Sequence, residues 1–261
     1  TDVILWVKEL IRKRGMIMGY KKILAVLCCT ALMAGCGNVS KESENGDISN
    51  IKKEDIVSIS RGMDEYAESF SGITDLSENS EAVIYGEVLS VKYIGGENGL
   101  CRTNLEVKVL QSLKGDFHTG DTVKVAKDQG ITSIKDYIDS FADEEMKEVN
   151  REDFSEYSDD ELEKLYIEQI GENDIMSEVG QKSILFLRKS AFYEEEQTYS
   201  RLNGPEGEYT EVSEDQFVNT QTLGGELKPP YTLDDYEDEE ADEPDDTYTL
   251  EKMMEEVDAA D

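Results

Sequence analysis

The sequence predicts a mainly β domain, a small barrel of short strands with an acidic α-helical insertion and disordered termini. Three observations predict it. Residues 81–130 and 180–212 carry runs of Val, Ile, Leu, Phe and Tyr, several alternating with polar residues at the period of a half-buried strand. Residues 131–178 abandon that period for a helical one. Charge divides the chain the same way: seven acids against six bases in 81–130, 17 against four in 131–179, and 15 against one Lys in 231–261. A nearly neutral core is thus flanked by two strongly acidic segments, in a chain of net charge −34.

From the N-terminus, residues 1–15 fit no targeting pattern and read as gene-model overrun or a cytosolic extension, with Met16 and Met18 as starts. Residues 16–35 are different. Lys21 and Lys22 form a basic region, Ile23 to Ala34 supply a mostly apolar stretch too short to span a bilayer, and small residues Ala34 and Gly35 precede Cys36. This segment resembles the signal peptide and lipobox of bacterial, Gram-positive-type lipoproteins, with Met33 where that family more often has Leu. The resemblance implies lipidation of the Cys36 thiol, signal cleavage after Gly35, and a membrane anchor on the extracytoplasmic face. Residues 1–35 are therefore left out of fold reasoning, and 36–50 form a polar tether.

The domain proper spans residues 51–230. Residues 52–70 read as moderately helical, and Asp75 to Ser80 as a turn of helix. The β-rich core opens at Ala82–Ile94, where Gly86 predicts a bulge or sharp bend. After a Gly-rich loop at 95–99, Thr103, Leu105, Val107 and Val109 alternate with polar residues. Leu113–Asp116 is a turn, and Val123-Lys-Val125 a short alternating strand. Gly180–Arg188 is the most apolar strand and is expected to be central; Tyr199–Asn203 and Tyr209–Val212 complete the set around a turn at Gly204–Gly207. Within the insertion at 131–178, Asp143–Val149 and Ser158–Ile170 read as helices. Ser158 and Glu161 have capping-box spacing, and Leu162, Leu165, Tyr166 and Gln169 share one helical face. Residues 231–261 read as a disordered acidic tail, with 249–257 holding at most a short helix. Deleting residues 231–261 is therefore expected to leave the barrel's melting temperature nearly unchanged, or to raise it at low salt.

The strand Ala82-Val-Ile-Tyr-Gly-Glu-Val88, the run Leu105-Glu-Val-Lys-Val-Leu-Gln-Ser-Leu-Lys-Gly115, Gly120-Asp-Thr-Val-Lys-Val125 and Val179-Gly-Gln-Lys-Ser-Ile-Leu-Phe-Leu187 follow one another in a suggestive order. They resemble the OB-like barrel of the tissue-inhibitor-of-metalloproteinases and netrin-like modules, and similar barrels in Gram-positive lipoproteins. The family's inhibitory device is a free N-terminal Cys that chelates a catalytic zinc. Here the corresponding Cys36 would be acylated and precedes the barrel by about 45 residues. The resemblance therefore implies the fold and not the inhibition.

Chemistry-bearing motifs are sparse. His118 stands alone, in a turn, and supports neither a His-rich metal site nor a triad. No P-loop, dinucleotide fingerprint, nucleophile elbow or Cys/His metal spacing occurs. Once Cys28, Cys29 and Cys36 are set aside with the signal and anchor, Cys101 remains, which allows no disulfide framework and reads as a partly buried apolar residue. Tyr85 and Tyr93 share strand parity and read as packing residues. Residues 36–261 carry 20 basic and 58 acidic side chains, a net of −38; such a surface repels phosphate backbones and anionic headgroups, so no nucleic-acid partner is expected and the lipid must hold the membrane. The leading expectation is a lipid-anchored, non-catalytic binding module at the cell surface with an unknown protein partner, no cofactor and no catalytic residues. The alternative is a calcium-associated surface protein using acids such as Asp234–Asp246 for weak calcium binding. An extracytoplasmic hydrolase comes third, through paired carboxylates.

Overall fold

A computed structural model describes residues 51–62, 69–95, 97–190, 198–226 and 247–260. Cys36, the signal segment, the tether and residues 231–246 lie outside the described residues. Those described belong to one compact unit, Asn45–Asp261.

Five strands close on one another. β2 (Ala82–Gly95), β3 (Cys101–Lys114) and β4 (Thr122–Lys127) form an antiparallel meander. β7 (Lys182–Lys189) pairs antiparallel with β2 on one side and with β8 (Thr198–Arg201) on the other, and β8 returns parallel to β4. Counted along the chain, the barrel runs first, second, third, fifth, fourth and back to first, the strand order of an OB-type barrel. Two long strands must curl to close so small a ring. β2 does so at register shifts after Val83, Tyr85 and Val88. At Gly86, a Cβ would run into the Val107 side chain, so the bend at this crossing needs glycine.

The barrel interior is filled by Ala82, Ile84, Val88, Leu105, Val107, Val109, Val123, Val125, Leu185 and Leu187. The other face of β7 also carries apolar side chains. Ile184 and Phe186 pack outward with Val83, Leu202, Tyr209 and Phe217, under α1 (Ile73–Asn79) and α6 (Leu250–Asp258). β7 is thus buried on both faces, which explains its unbroken apolar run. β9 (Glu208–Ser213) and β10 (Gln216–Asn219) extend the sheet beyond β7, and α5 (Thr220–Glu226) follows.

The insertion departs from the helical expectation. β5 (Gly130–Ser133) leads into α2 (Ile134–Asp139), α3 (Glu144–Asp153) and α4 (Asp159–Leu162), but Tyr166–Gly171 is a strand, β6. The predicted helix Ser158–Ile170 therefore stops after one turn. Its capping box is present: Ser158 N–H donates to Glu161 Oε2 at 2.8 Å. Tertiary pairing then overrides the local signal, because Ile167 and Ile170 are buried and β6 lies between two partners. It pairs antiparallel with β5 and parallel with β1 (Ile56–Gly62), so the predicted helix at 52–70 is also corrected, to a single 3-10 turn at Lys53–Asp55 followed by a strand. Ile134, Ile138 and Leu162 form a small separate core beneath these helices. At the hinge between β2 and β3, Gly99 (φ 76°) lies against the rings of Tyr137 and Phe141, leaving no room for a Cβ.

The tail reading is corrected in part: the short helix at 249–257 is present, as Leu250–Asp258, but it is packed and not part of a disordered tail. Residues 247–260 are ordered against the barrel. Tyr248 and Phe217 exchange backbone hydrogen bonds of 2.9 and 2.8 Å, Thr249 caps α6, and Met253 and Val257 are fully buried beside Ile73 and Leu76. Leu250, Met253, Met254 and Val257 stand at helical spacing. That apolar stripe was diluted by averaging charge over 231–261.

Among the described residues no helix is long and apolar enough to cross a membrane. Cys101 is free and buried, its thiol pushed up to about 12 by desolvation. Cohesion among the described residues thus rests on packing and polar contacts, and the thermal transition of the protein is expected to be unchanged by dithiothreitol or by EDTA. A transition lost on adding either reagent would contradict this, and differential scanning calorimetry reads it directly.

Candidate functional site

Strand parity decides what fills the barrel beyond its apolar layers. In β4, Val123, Val125 and Lys127 share the inward face, so the strand's last inward residue is a lysine. Tyr199 packs on the barrel core from β8, and Arg201, two residues on, follows the same face. Ser183 does the same ahead of Leu185 and Leu187 in β7. The mouth of the barrel is therefore polar by construction.

Two carboxylates meet these cations. Glu208 opens β9, and its Oε2 lies 2.7 Å from Lys127 Nζ and 2.7 Å from Arg201 Nη1. Its Oε1 accepts from Ser183 Oγ at 3.0 Å and Gln181 Nε2 at 3.3 Å. Asp174, just after β6, receives the Arg201 guanidinium on both oxygens, at 3.0 and 2.6 Å, and Oδ1 also accepts from Ile175 N–H at 2.9 Å. Gln129 extends the cluster, donating from Nε2 to Ile175 O at 2.9 Å while its backbone carbonyl accepts from Thr103 Oγ1 at 2.6 Å. The four charged side chains are each at most 4% exposed, two positive and two negative.

Burial by itself would raise the Glu208 carboxyl, but the charges of Lys127 and Arg201, with hydrogen bonds from Lys127 and Ser183, outweigh it and hold the group at about 2. For Lys127, burial and the like charge of Arg201 push the ammonium below the ordinary lysine range, against the pull of Glu208 and Asp174. Removing any one member would strand a charge in a medium that solvates it poorly.

This arrangement ties parts together. Asp174 belongs to the insertion, Lys127 and Arg201 to the barrel, and Glu208 to the sheet extension, so one ion network pins three pieces of chain. As chemistry it offers little. Two buried carboxylates do converge, on Arg201, yet both are held by cations, and Glu208 is held low rather than raised to serve as a general acid. An open cleft of about 440 Å³ lies elsewhere, lined by Asp215, Leu250, Glu251, Met254, Glu255 and Asp258 along α6.

The residues singled out from sequence are not brought together. His118 is 87% exposed, its Nδ1 3.7 Å from Asp121. Tyr85 stacks edge-on against Phe217 at 5.4 Å and donates to Glu211 at 3.2 Å, while Tyr93 is buried. Among the described residues no group of three or more His, Cys, Asp or Glu side chains converges in a way that could hold a metal ion. Asp234–Asp246, the stretch considered for calcium, lies outside the described residues. None of Lys127, Arg201, Glu208 and Asp174 was singled out from sequence. Glu106 does face solvent; Glu208 does not. The available signal was Lys127 continuing the inward series of Val123 and Val125. Compared with known proteins, the chain matches no protein-family model, no curated protein and no solved structure.

Proposed function

We propose that this protein is a lipoprotein held on the extracytoplasmic face of a cell membrane by a lipid on Cys36, where its barrel domain acts as a non-catalytic binding module for another protein. The observation that carries the reading is the segment Lys21–Cys36: two lysines, an apolar stretch of signal length, then Ala34-Gly35-Cys36. The charge of the chain supports it. At −38 from residue 36 onward, the protein surface is repelled by anionic headgroups, so a lipid anchor is the attractive term left to hold it. The 14 residues from 37 to 50 reach at most about 50 Å when extended, enough to stand a domain clear of the headgroups. The barrel's buried charges are neutralised within the fold, which suits a rigid scaffold better than a reaction centre.

Cys36→Ser is expected to abolish incorporation of an alkyne-tagged fatty acid in growing cells and to release the protein from the membrane fraction. Labelling that survives the substitution would remove the anchor. Photocrosslinking at the surface of intact cells should capture a protein partner; a chain that stays uncrosslinked throughout its surface would remove the binding module.

A further inference from the structure

Helix α3 is turned the unusual way round. Asp143 caps it, accepting from the backbone N–H of Glu145 at 2.8 Å and Met146 at 3.3 Å. The face toward the domain is polar. Asn150 Oδ1 accepts from Tyr137 Oη at 3.1 Å, and Arg151 donates to the carbonyls of Phe154 and Tyr157, each at 2.9 Å, and to Asp159 at 3.2 Å. Lys147 is partly covered and paired with Glu144 at 2.8 Å. The helix's two cations are thereby spent within the fold, and none of its residues is buried.

The outward face holds everything else. At 100° per residue, Glu148, Glu152, Glu145, Val149, Asp153 and Met146 follow one another across a single arc. All six are exposed, Met146 at 45% and Val149 at 51%. A helix that had only its own domain to satisfy would turn Met146 and Val149 inward and leave Lys147 and Arg151 in water. Here an apolar pair at i, i+3 faces solvent beside four carboxylates with no cation among them, Val149 lying between them and Met146 at the edge of the arc. An anionic partner, or a second copy of this chain, would meet strong like-charge repulsion.

We propose that the outward face of α3 is a docking surface for a basic amphipathic segment of a partner protein, whose apolar side chains cover Met146 and Val149 while its Lys or Arg residues meet Glu145, Glu148, Glu152 and Asp153. This rests on the reading of the protein as an interaction module and names the surface and the partner chemistry. The carboxylates steer the encounter and the apolar pair, desolvated by the partner, sets the residence time.

The test uses the full chain in an uncharged detergent and two synthetic helical peptides of equal charge, one of Lys and Leu, the other of Lys and Ser, followed by fluorescence anisotropy at two salt concentrations. The Lys/Leu peptide should bind about tenfold more tightly, and the double substitution Met146→Ser, Val149→Ser should erase that preference. The triple substitution Glu145→Gln, Glu148→Gln, Glu152→Gln should weaken binding and flatten its salt dependence. A triple of the same charge change on α6, Glu251→Gln, Glu255→Gln, Asp258→Asn, should shift affinity less than about twofold. Equal binding of the two peptides, equal loss from the α6 triple, or no binding at all would overturn the proposal. If photocrosslinking on cells still captures a partner after such a result, only the α3 surface falls; if it captures none, the interaction module falls with it.

Discussion

Replacing Glu208 by Gln is expected to cost about 3–5 kcal/mol of unfolding free energy at pH 7, among the largest effects of any single change in this protein. The substitution keeps volume and leaves Lys127 and Arg201 at the barrel mouth with one carboxylate, Asp174, between them. The pH dependence has a definite sign. Glu208 holds its proton more weakly folded, at about 2, than in the unfolded chain, near 4.3. Its contribution, roughly 3 kcal/mol from that difference, is therefore complete above the unfolded value and is lost as pH falls from about 4 toward 2. Wild type and variant should differ most at neutral pH and converge across that window. Urea unfolding of both chains at a series of pH values reads the gap. A gap below about 1 kcal/mol at pH 7, or one that fails to narrow on acidification, would show that the network is not the joint described here.

Deleting residues 247–261 is expected to lower the melting temperature by about 10–20 °C. Met253 and Val257 are fully buried, worth about 1.5–3 kcal/mol each, and their loss also uncovers Ile73 and Leu76. At about 2–4 °C per kcal/mol for a domain of this size, the apolar loss outweighs the relief of removing five acids and one Lys. It should persist at high salt, since buried apolar area is not screened. Met253→Ala with Val257→Ala should reproduce most of the drop in an otherwise complete chain. A deletion that leaves the transition in place, or whose effect disappears with added salt, would mean that α6 contributes charge and little else.

How much of this was legible in the sequence depends on the range of the interaction that decides each element. The β2–β3–β4 meander is local, and its alternating Val and Leu residues announce it; so does Gly86, where the bend falls. β7 reads as central because both its faces are apolar. β1 and β6 read as helical because their own residues are ambiguous, and only the pairing of Ile56–Gly62 with Tyr166–Gly171, more than a hundred positions away, makes them strands. The packing of α6, whose helix is legible at 249–257, was hidden for another reason: its four apolar residues sit beside a nearly continuous acidic run, and composition averaged over 231–261 erases a stripe that period 3.6 preserves. The ion network was least legible. Four charged residues on four separate segments have no spacing in common, and they become a unit only once β8 has returned beside β4.

That return has a consequence for the order of events as the chain emerges to fold. Ala82 and Leu187, partners across the barrel seam, are 105 positions apart, so a chain that emerges N-terminus first completes the meander well before the strands that close it. Until those strands follow, the half-built barrel holds its Val-rich inner face open and its edge strands unpaired. Such an intermediate invites association with its own kind. The stretch that emerges next is the insertion, with 17 acids against four bases. Placed between the two halves of the barrel, its excess of negative charge is expected to oppose association at the open edge until β7 and β8 arrive to seal it.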